Sequence, residues 1–300
     1  MKKKILALLT ASVMVLGVAA CSSSTEETTT EGETTEETTE EGSGMTGAIS
    51  VISREEGSGT RGAFVELMGV VDEDDNDITT VNAEITNSTS VMLTTVAGNP
   101  AAIGYVSLGS LSDDVKAVKV DGVAATVEDI NNGTYKVARP FLVAYKDGSL
   151  TDVAQDFLNY IMSDDGQAII NEEGYISVAE GNTYTASGMS GRIVLAGSTS
   201  VSPVMEVLAD AYKALNPDVT IEIQQTGSGA GITSAIEGVC DFGMSSRALT
   251  DEEAAELVNT QIATDGIAVV VNNENPVEDM TSDQIKGIYL GEITDWSEIQ

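Results

Sequence analysis

Apolar positions along this chain change period repeatedly, and each change marks an element. In Val219-Thr220-Ile221-Glu222-Ile223 apolar residues take every second place, the alternation of a strand with one covered face. After Ser202 and Pro203, a favourable helix start, Val204, Val207, Leu208, Ala211, Tyr212 and Leu215 recur at spacings of three and four and predict a helix with that face inward. Ala63, Phe64, Leu67, Met68 and Val71 predict a second helix behind the segment SREEGSGTR. Thr250 with Glu253, and Thr281 with Gln284, have capping-box spacing and predict two further helix starts. Strand, loop, helix, strand in this order predicts an α/β sheet, where ligands gather at the carboxyl ends of strands.

The first 45 residues follow neither period. Lys2, Lys3 and Lys4 precede an apolar run from Ile5 to Leu16 that is too short to span a membrane as a mature helix, which predicts a signal peptide over residues 1–20. The run closes on Val18-Ala19-Ala20-Cys21, which resembles a bacterial lipoprotein cleavage box and predicts acylation of Cys21 with palmitate-type chains. From Cys21 to residue 45 the chain is mostly Ser, Thr, Glu and Gly, with almost nothing apolar to bury, and predicts a disordered, self-repelling tether. The remainder exceeds a typical single domain and fits two lobes.

Composition narrows the function classes. With 48 acidic and 14 basic residues the net charge is −34, and removing Lys2, Lys3 and Lys4 makes it −37. Nucleic acid is excluded as a natural partner. An anion site on such a surface must win through short hydrogen bonds, distant charge being screened beyond about 8 Å in physiological salt. The chain has no histidine, no G-x-S-x-G elbow and no cysteine cluster, so histidine-dependent triads and the usual transition-metal sites are absent. No enzyme, no cofactor and no metal are expected; Cys240 reads as a small buried hydrophobe.

Three loops of glycine and hydroxyl residues stand where a strand pattern gives way to a helix pattern: Gly57-Ser58-Gly59-Thr60, Gly197-Ser198-Thr199-Ser200 and Gly227-Ser228-Gly229. Free N–H groups at a helix start carry about half a positive charge, and neighbouring hydroxyls add donors, so converging starts can hold a small oxyanion. Arg54, three residues before Gly57, offers a planar fork that matches two oxygens of phosphate or sulfate. Gly57, Gly59 and Gly62 also satisfy G-x-G-x-x-G. A dinucleotide reading would need an acidic residue ending a second strand about 20 residues on, whereas Val71 runs into the acidic loop Asp72-Glu73-Asp74-Asp75-Asn76-Asp77.

The segments ISREEGSGTRGAF, GNPAAIGYVSLG, SDDGQAIINEEGYI, AGSTSVSPVMEVLADAY, TGSGAGITSAIEGVCDFGMSSR and TDGIAVVVN together resemble the phosphate-binding lipoproteins of bacterial ABC importers. The family's order is different: there AGSTSVSP comes near the start and SREEGSGTR in the middle. The chain therefore resembles a circular permutation, in which Gln300 would lead towards Gly47 and residues 179–190 would join the old ends. The resemblance implies a two-lobed periplasmic-binding-protein fold of the type II kind, each lobe a mixed sheet flanked by helices, with the ligand in the cleft between lobes. Lobe one would comprise residues 46–135 plus 268–300, and lobe two residues 136–267.

Carried over position by position, phosphate contacts would fall on Arg54, Ser58, Gly59, Thr60, Thr199, Ser200, Ser228 and Ser246. Ser246 departs from those members that place an aspartate there, where it accepts the proton of hydrogen phosphate and repels sulfate. Glu56, two residues from Arg54, would share its face in an extended segment and either meet a phosphate proton or pair with the guanidinium. Arg247 is either a second cation at the cleft or a surface charge. The implied partners are inorganic phosphate, a membrane permease of a phosphate importer and the membrane through a lipid anchor, with the protein a monomer on the outer face of the bacterial cell membrane. Sulfate, molybdate or an organic phosphate is the alternative solute, and an adhesin or sensor the alternative use of the fold.

Overall fold

The computed structural model describes residues 45–299. The signal peptide, Cys21, the tether and Gln300 lie outside the described residues.

The predicted alternation is present, and one long strand organises it. Val258–Asn272 pairs antiparallel along its first part with Ala138–Tyr145 and along its last part with Ala102–Ser107. The sheet continues on one side through Ser50–Arg54 to Glu84–Thr86 and on the other through Phe242–Ser245 and Ser190–Gly197 to Asp218–Gln225. Pairing is mixed: Ser50–Arg54 runs parallel to both its neighbours, and Ser190–Gly197 is parallel to both of its own. At the passage between the two sides Gly266 faces Ala138, and a Cβ on Gly266 would come within 2.5 Å of Ile130 Cδ1, so a side chain there would force Ile130 to shift.

Apolar cores lie on both sides of this passage, the two largest among the described residues being separate from each other. One gathers Phe64, Tyr105, Tyr289 and Trp296; the other gathers Phe157, Met205, Tyr212 and Phe242. Phe64 and Tyr105 stack with centroids 4.0 Å apart, and Tyr289 meets Phe64 edge-on at 4.7 Å. The described chain also closes on itself. The Trp296 amide donates to the Gly47 carbonyl at 2.9 Å and the Gly47 amide to Asp295 Oδ1 at 3.1 Å, so the first and last described segments lie side by side.

Helix phase differs in detail from the sequence pattern. Helix Ser202–Leu215 buries Val204, Met205, Leu208, Ala209 and Tyr212, while Val207 and Leu215 are exposed. The buried stripe is rotated by one position because Met205 and Ala209 continue the face that Val201 begins. Helix Gly59–Met68 stops at Gly69, whose left-handed φ of 67° closes it before Val71, and Leu67 stays exposed.

Both capping boxes form. In the first, Glu253 also receives both arms of Arg247 at 2.7 Å, so Arg247 is a paired cation. That hydrogen-bonded guanidinium holds the Glu253 carboxyl below its ordinary range. A depressed carboxylate stabilises the fold above the ordinary value of about 4.3, and the gain disappears as pH falls through the lower folded value. Glu253→Gln should therefore cost about 1 kcal/mol near neutrality and lessen the fall in urea midpoint on acidification; an unchanged acid limb would show that the pair does not contribute.

Candidate functional site

Arg54 ends its strand on the Trp296 side, and that core holds it in place. The Tyr105 hydroxyl lies 2.9 Å from Ser53 Oγ and accepts the Arg54 amide at 3.2 Å. Burial pushes the Tyr105 phenol up to about 12, so it stays a neutral hydrogen-bonding post beneath the arginine. The guanidinium is 2 % exposed. Its Nε and Nη2 hold the two oxygens of Glu55 at 2.7 and 2.8 Å, Nη2 also reaches Thr199 Oγ1 at 3.1 Å, and Nη1 reaches Thr89 Oγ1 at 3.4 Å.

Here the expectation for Glu56 is corrected: the residue that orients Arg54 is Glu55, and Glu56 is exposed. Sharing a face at i and i+2 requires that the extended backbone continue. The strand stops at Arg54, and the chain turns at Glu56-Gly57, where Gly57 takes φ 81°. The turn brings the adjacent carboxylate back onto the guanidinium and sends Glu56 outward to an open cleft lined also by Gly57, Arg61 and Arg247.

All three predicted glycine–hydroxyl loops arrive at one place. Ser58 caps helix Gly59–Met68, its Oγ accepting the Arg61 amide at 3.3 Å. Gly227 precedes helix Ser228–Glu237, and Ser198–Val201 precede helix Ser202–Leu215. Thr60 Oγ1 lies 2.9 Å from Ser200 Oγ, and the Gly229 amide donates to the Gly57 carbonyl at 3.0 Å, so residues packed on the two cores meet directly. Ser246 sits just past strand Phe242–Ser245. Its hydroxyl accepts from Ser198 Oγ at 2.9 Å and lies 3.3 Å from Ser228 Oγ, while its amide donates to Ser228 Oγ at 3.2 Å. Arg54, Ser58, Gly59, Thr60, Thr199, Ser200, Ser228 and Ser246 are all nine-tenths or more buried.

Three neighbours escape sequence reasoning. Glu55 is one; Ser198, named in its loop but given no contact there, also accepts the amides of Ser200 and Val201 and is the second. The third is Thr89, 5 % exposed, whose hydroxyl lies 3.2 Å from both Thr199 and Ser200. Its signal is present in Ile85-Thr86-Asn87-Ser88-Thr89: a strand, then hydroxyl residues, then a helix capped by Ser88. It lacks only the glycine.

Chemically the arrangement is one buried cation, already half-engaged by a carboxylate, surrounded by hydroxyls and helix starts. Such a set binds a small oxyanion through many short donors rather than through net charge. Close approach is built in at Gly59: a Cβ there would lie 2.4 Å from Ser228 Oγ and 2.6 Å from Ser246 Oγ. Gly59→Ala should weaken anion binding by about 1–3 kcal/mol through overpacking, read by calorimetric titration; retention of full affinity would mean the two sides do not need this contact.

The chain matches the family model of the PBP superfamily domain over residues 32–165 and 182–300. The phosphate-binding protein PstS 2 of Streptococcus agalactiae serotype V is 50% identical over 262 residues, covering 86% of this chain and 89% of that protein. A crystal structure of a phosphate ABC transporter phosphate-binding protein from Streptococcus pneumoniae TIGR4 superposes with a TM-score of 0.69 at 45% identity, over 85% of this chain and all of the other. The phosphate-binding protein PstS of Bacillus subtilis is 33% identical over 124 residues, which are 39% of this chain and 41% of that one. On this sequence likeness, and with the two-lobed fold it shares, the chain belongs to the PBP superfamily, among the phosphate-binding proteins of phosphate ABC importers.

Proposed function

We infer that this protein captures inorganic phosphate outside the cytoplasm and delivers it to the permease of an ABC importer, as a solute-binding protein and not an enzyme. The observation that carries the reading is the buried set in which Arg54, Thr60 and Thr89 from one side touch Thr199 and Ser200 from the other. An anion held there bonds to both lobes at once, and binding energy goes into holding them together. The names of the streptococcal relatives agree with it. Phosphate contacts are assigned to Arg54, Ser58, Gly59, Thr60, Thr199, Ser200, Ser228 and Ser246, with Thr89 added. Lobe one is assigned residues 46–135 plus 268–300 and lobe two residues 136–267. Export by the signal peptide and acylation at Cys21 tether a monomer to the cell surface.

The permuted order belongs to the same reading. A rearranged chain aligns in sequence with an unrearranged one over only one piece at a time, and the Bacillus protein matches over 124 residues. Alignment over 86% of this chain and 89% of the streptococcal protein fits a shared order.

Titrating ligand-stripped protein lacking residues 1–21 with phosphate, sulfate and molybdate in a calorimeter tests the function. Saturable phosphate binding at one site is expected. Because Ser246 brings a hydroxyl and no carboxylate, another oxyanion is the second reading, and sulfate or molybdate binding more tightly would reassign the solute. No binding by any of the three would turn the protein into an adhesin or sensor.

A further inference from the structure

Every polar group of Ser246 is engaged, and one partner comes from outside the anion site. Its amide and hydroxyl face Ser228 and Ser198, while its carbonyl accepts Arg139 Nη1 at 3.1 Å. Arg139 is 3 % exposed and stands where strand Ala138–Tyr145 leaves the passage between lobes, directly opposite Asp265 in the register. Asp265, 1 % exposed, takes Arg139 Nε at 3.1 Å and Nη2 at 3.0 Å on a single oxygen. Its other oxygen accepts the hydroxyl of Ser107 at 2.9 Å, from the end of strand Ala102–Ser107 on the Trp296 side. A continuous buried run of hydrogen bonds thus joins the first lobe's sheet, both crossing strands and Ser246.

We propose that Arg139 is a positioning residue for anion capture: clamped by Asp265 on one edge, it uses its remaining arm to fix Ser246, so that the passage between lobes sets the geometry of the anion site. This rests on the assignment of Ser246 to that site. A planar fork can hold a carboxylate and a carbonyl on different edges at once, which an ammonium on a flexible stem cannot do in the same geometry. Buried and with each Arg139 nitrogen hydrogen-bonded, the run has little freedom to rearrange without moving Ser246.

Arg139→Lys separates the two roles, because it keeps a cation for Asp265 and loses the arm to Ser246. The experiment is phosphate titration by calorimetry together with thermal unfolding of the phosphate-free protein. The expected result is at least a tenfold rise in Kd with the protein fully folded at the titration temperature; an unchanged Kd overturns the proposal. If Arg139→Lys does not fold, Ser107→Ala takes its place, releasing only the outer oxygen of Asp265: a severalfold rise in Kd supports the relay, and no change overturns it. Ser246→Ala runs alongside. Should it leave phosphate affinity intact, the site assignment fails and the proposal with it, whereas loss in Ser246→Ala with none in Arg139→Lys rejects the relay alone.

Discussion

Arg54→Ala is expected to weaken phosphate binding by at least about 2 kcal/mol, some thirtyfold, without unfolding the protein. The arginine is the sole cation among the assigned contacts, and at 2 % exposure no water replaces it easily. Removing it leaves anion oxygens without their charged donor, and it frees Glu55, whose carboxylate then repels the ligand it formerly served by holding the guanidinium. The fold should survive because the supporting contacts belong to the main chain: Tyr105 binds the Arg54 amide, and Arg61 Nη1 binds the Arg54 carbonyl at 2.8 Å. Arg54→Lys should recover only part of the loss, since a point charge cannot meet Glu55, Thr199 and Thr89 on separate edges. Calorimetry measures both variants, and affinity unchanged in Arg54→Ala would remove this residue from the site.

Much of this site is readable in the sequence because its chemistry is local. A strand that ends in glycine and serine before a helix announces a turn, a cap and free amides within four or five residues, and Ser58, Thr60, Thr199, Ser200 and Ser228 all stand in such loops. Thr89 escaped because its loop uses Asn87 and Ser88 where the others use glycine, so the same physics carries a weaker mark. Glu55 takes the place expected of Glu56 for a different reason. Which of two adjacent carboxylates reaches Arg54 depends on where the strand ends, and boundaries are decided by pairing with Thr86 and by the turn at Gly57, both beyond local pattern. The burial phase of helix Ser202–Leu215 is likewise set by what packs on it, since Met205 and Ala209 were apolar in the pattern all along. Asp265 and Arg139 are 126 positions apart, and nothing in a single chain marks two such residues as partners.

That pair should give the largest stability effect in the molecule. Arg139→Met alone should cost about 3–5 kcal/mol, because it strands the Asp265 carboxylate in the passage between lobes with only the Ser107 hydroxyl and nearby main chain for company. Burial already works against both charges: it raises the Asp265 carboxyl and lowers the Arg139 guanidinium, and the two partners, with Ser107, pull the other way. Arg139 also lies 5.3 Å over the Phe141 ring, so methionine keeps part of the packing, and most of the cost is electrostatic. The double variant Arg139→Met/Asp265→Leu removes both charges and should regain most of the loss, stopping short of full recovery because the Ser246 carbonyl and Ser107 hydroxyl lose their partners. Urea unfolding of the four proteins closes the cycle. A coupling of 2 kcal/mol or more is expected; additive losses would mean that each residue acts through packing and that the passage between lobes is not held by charge.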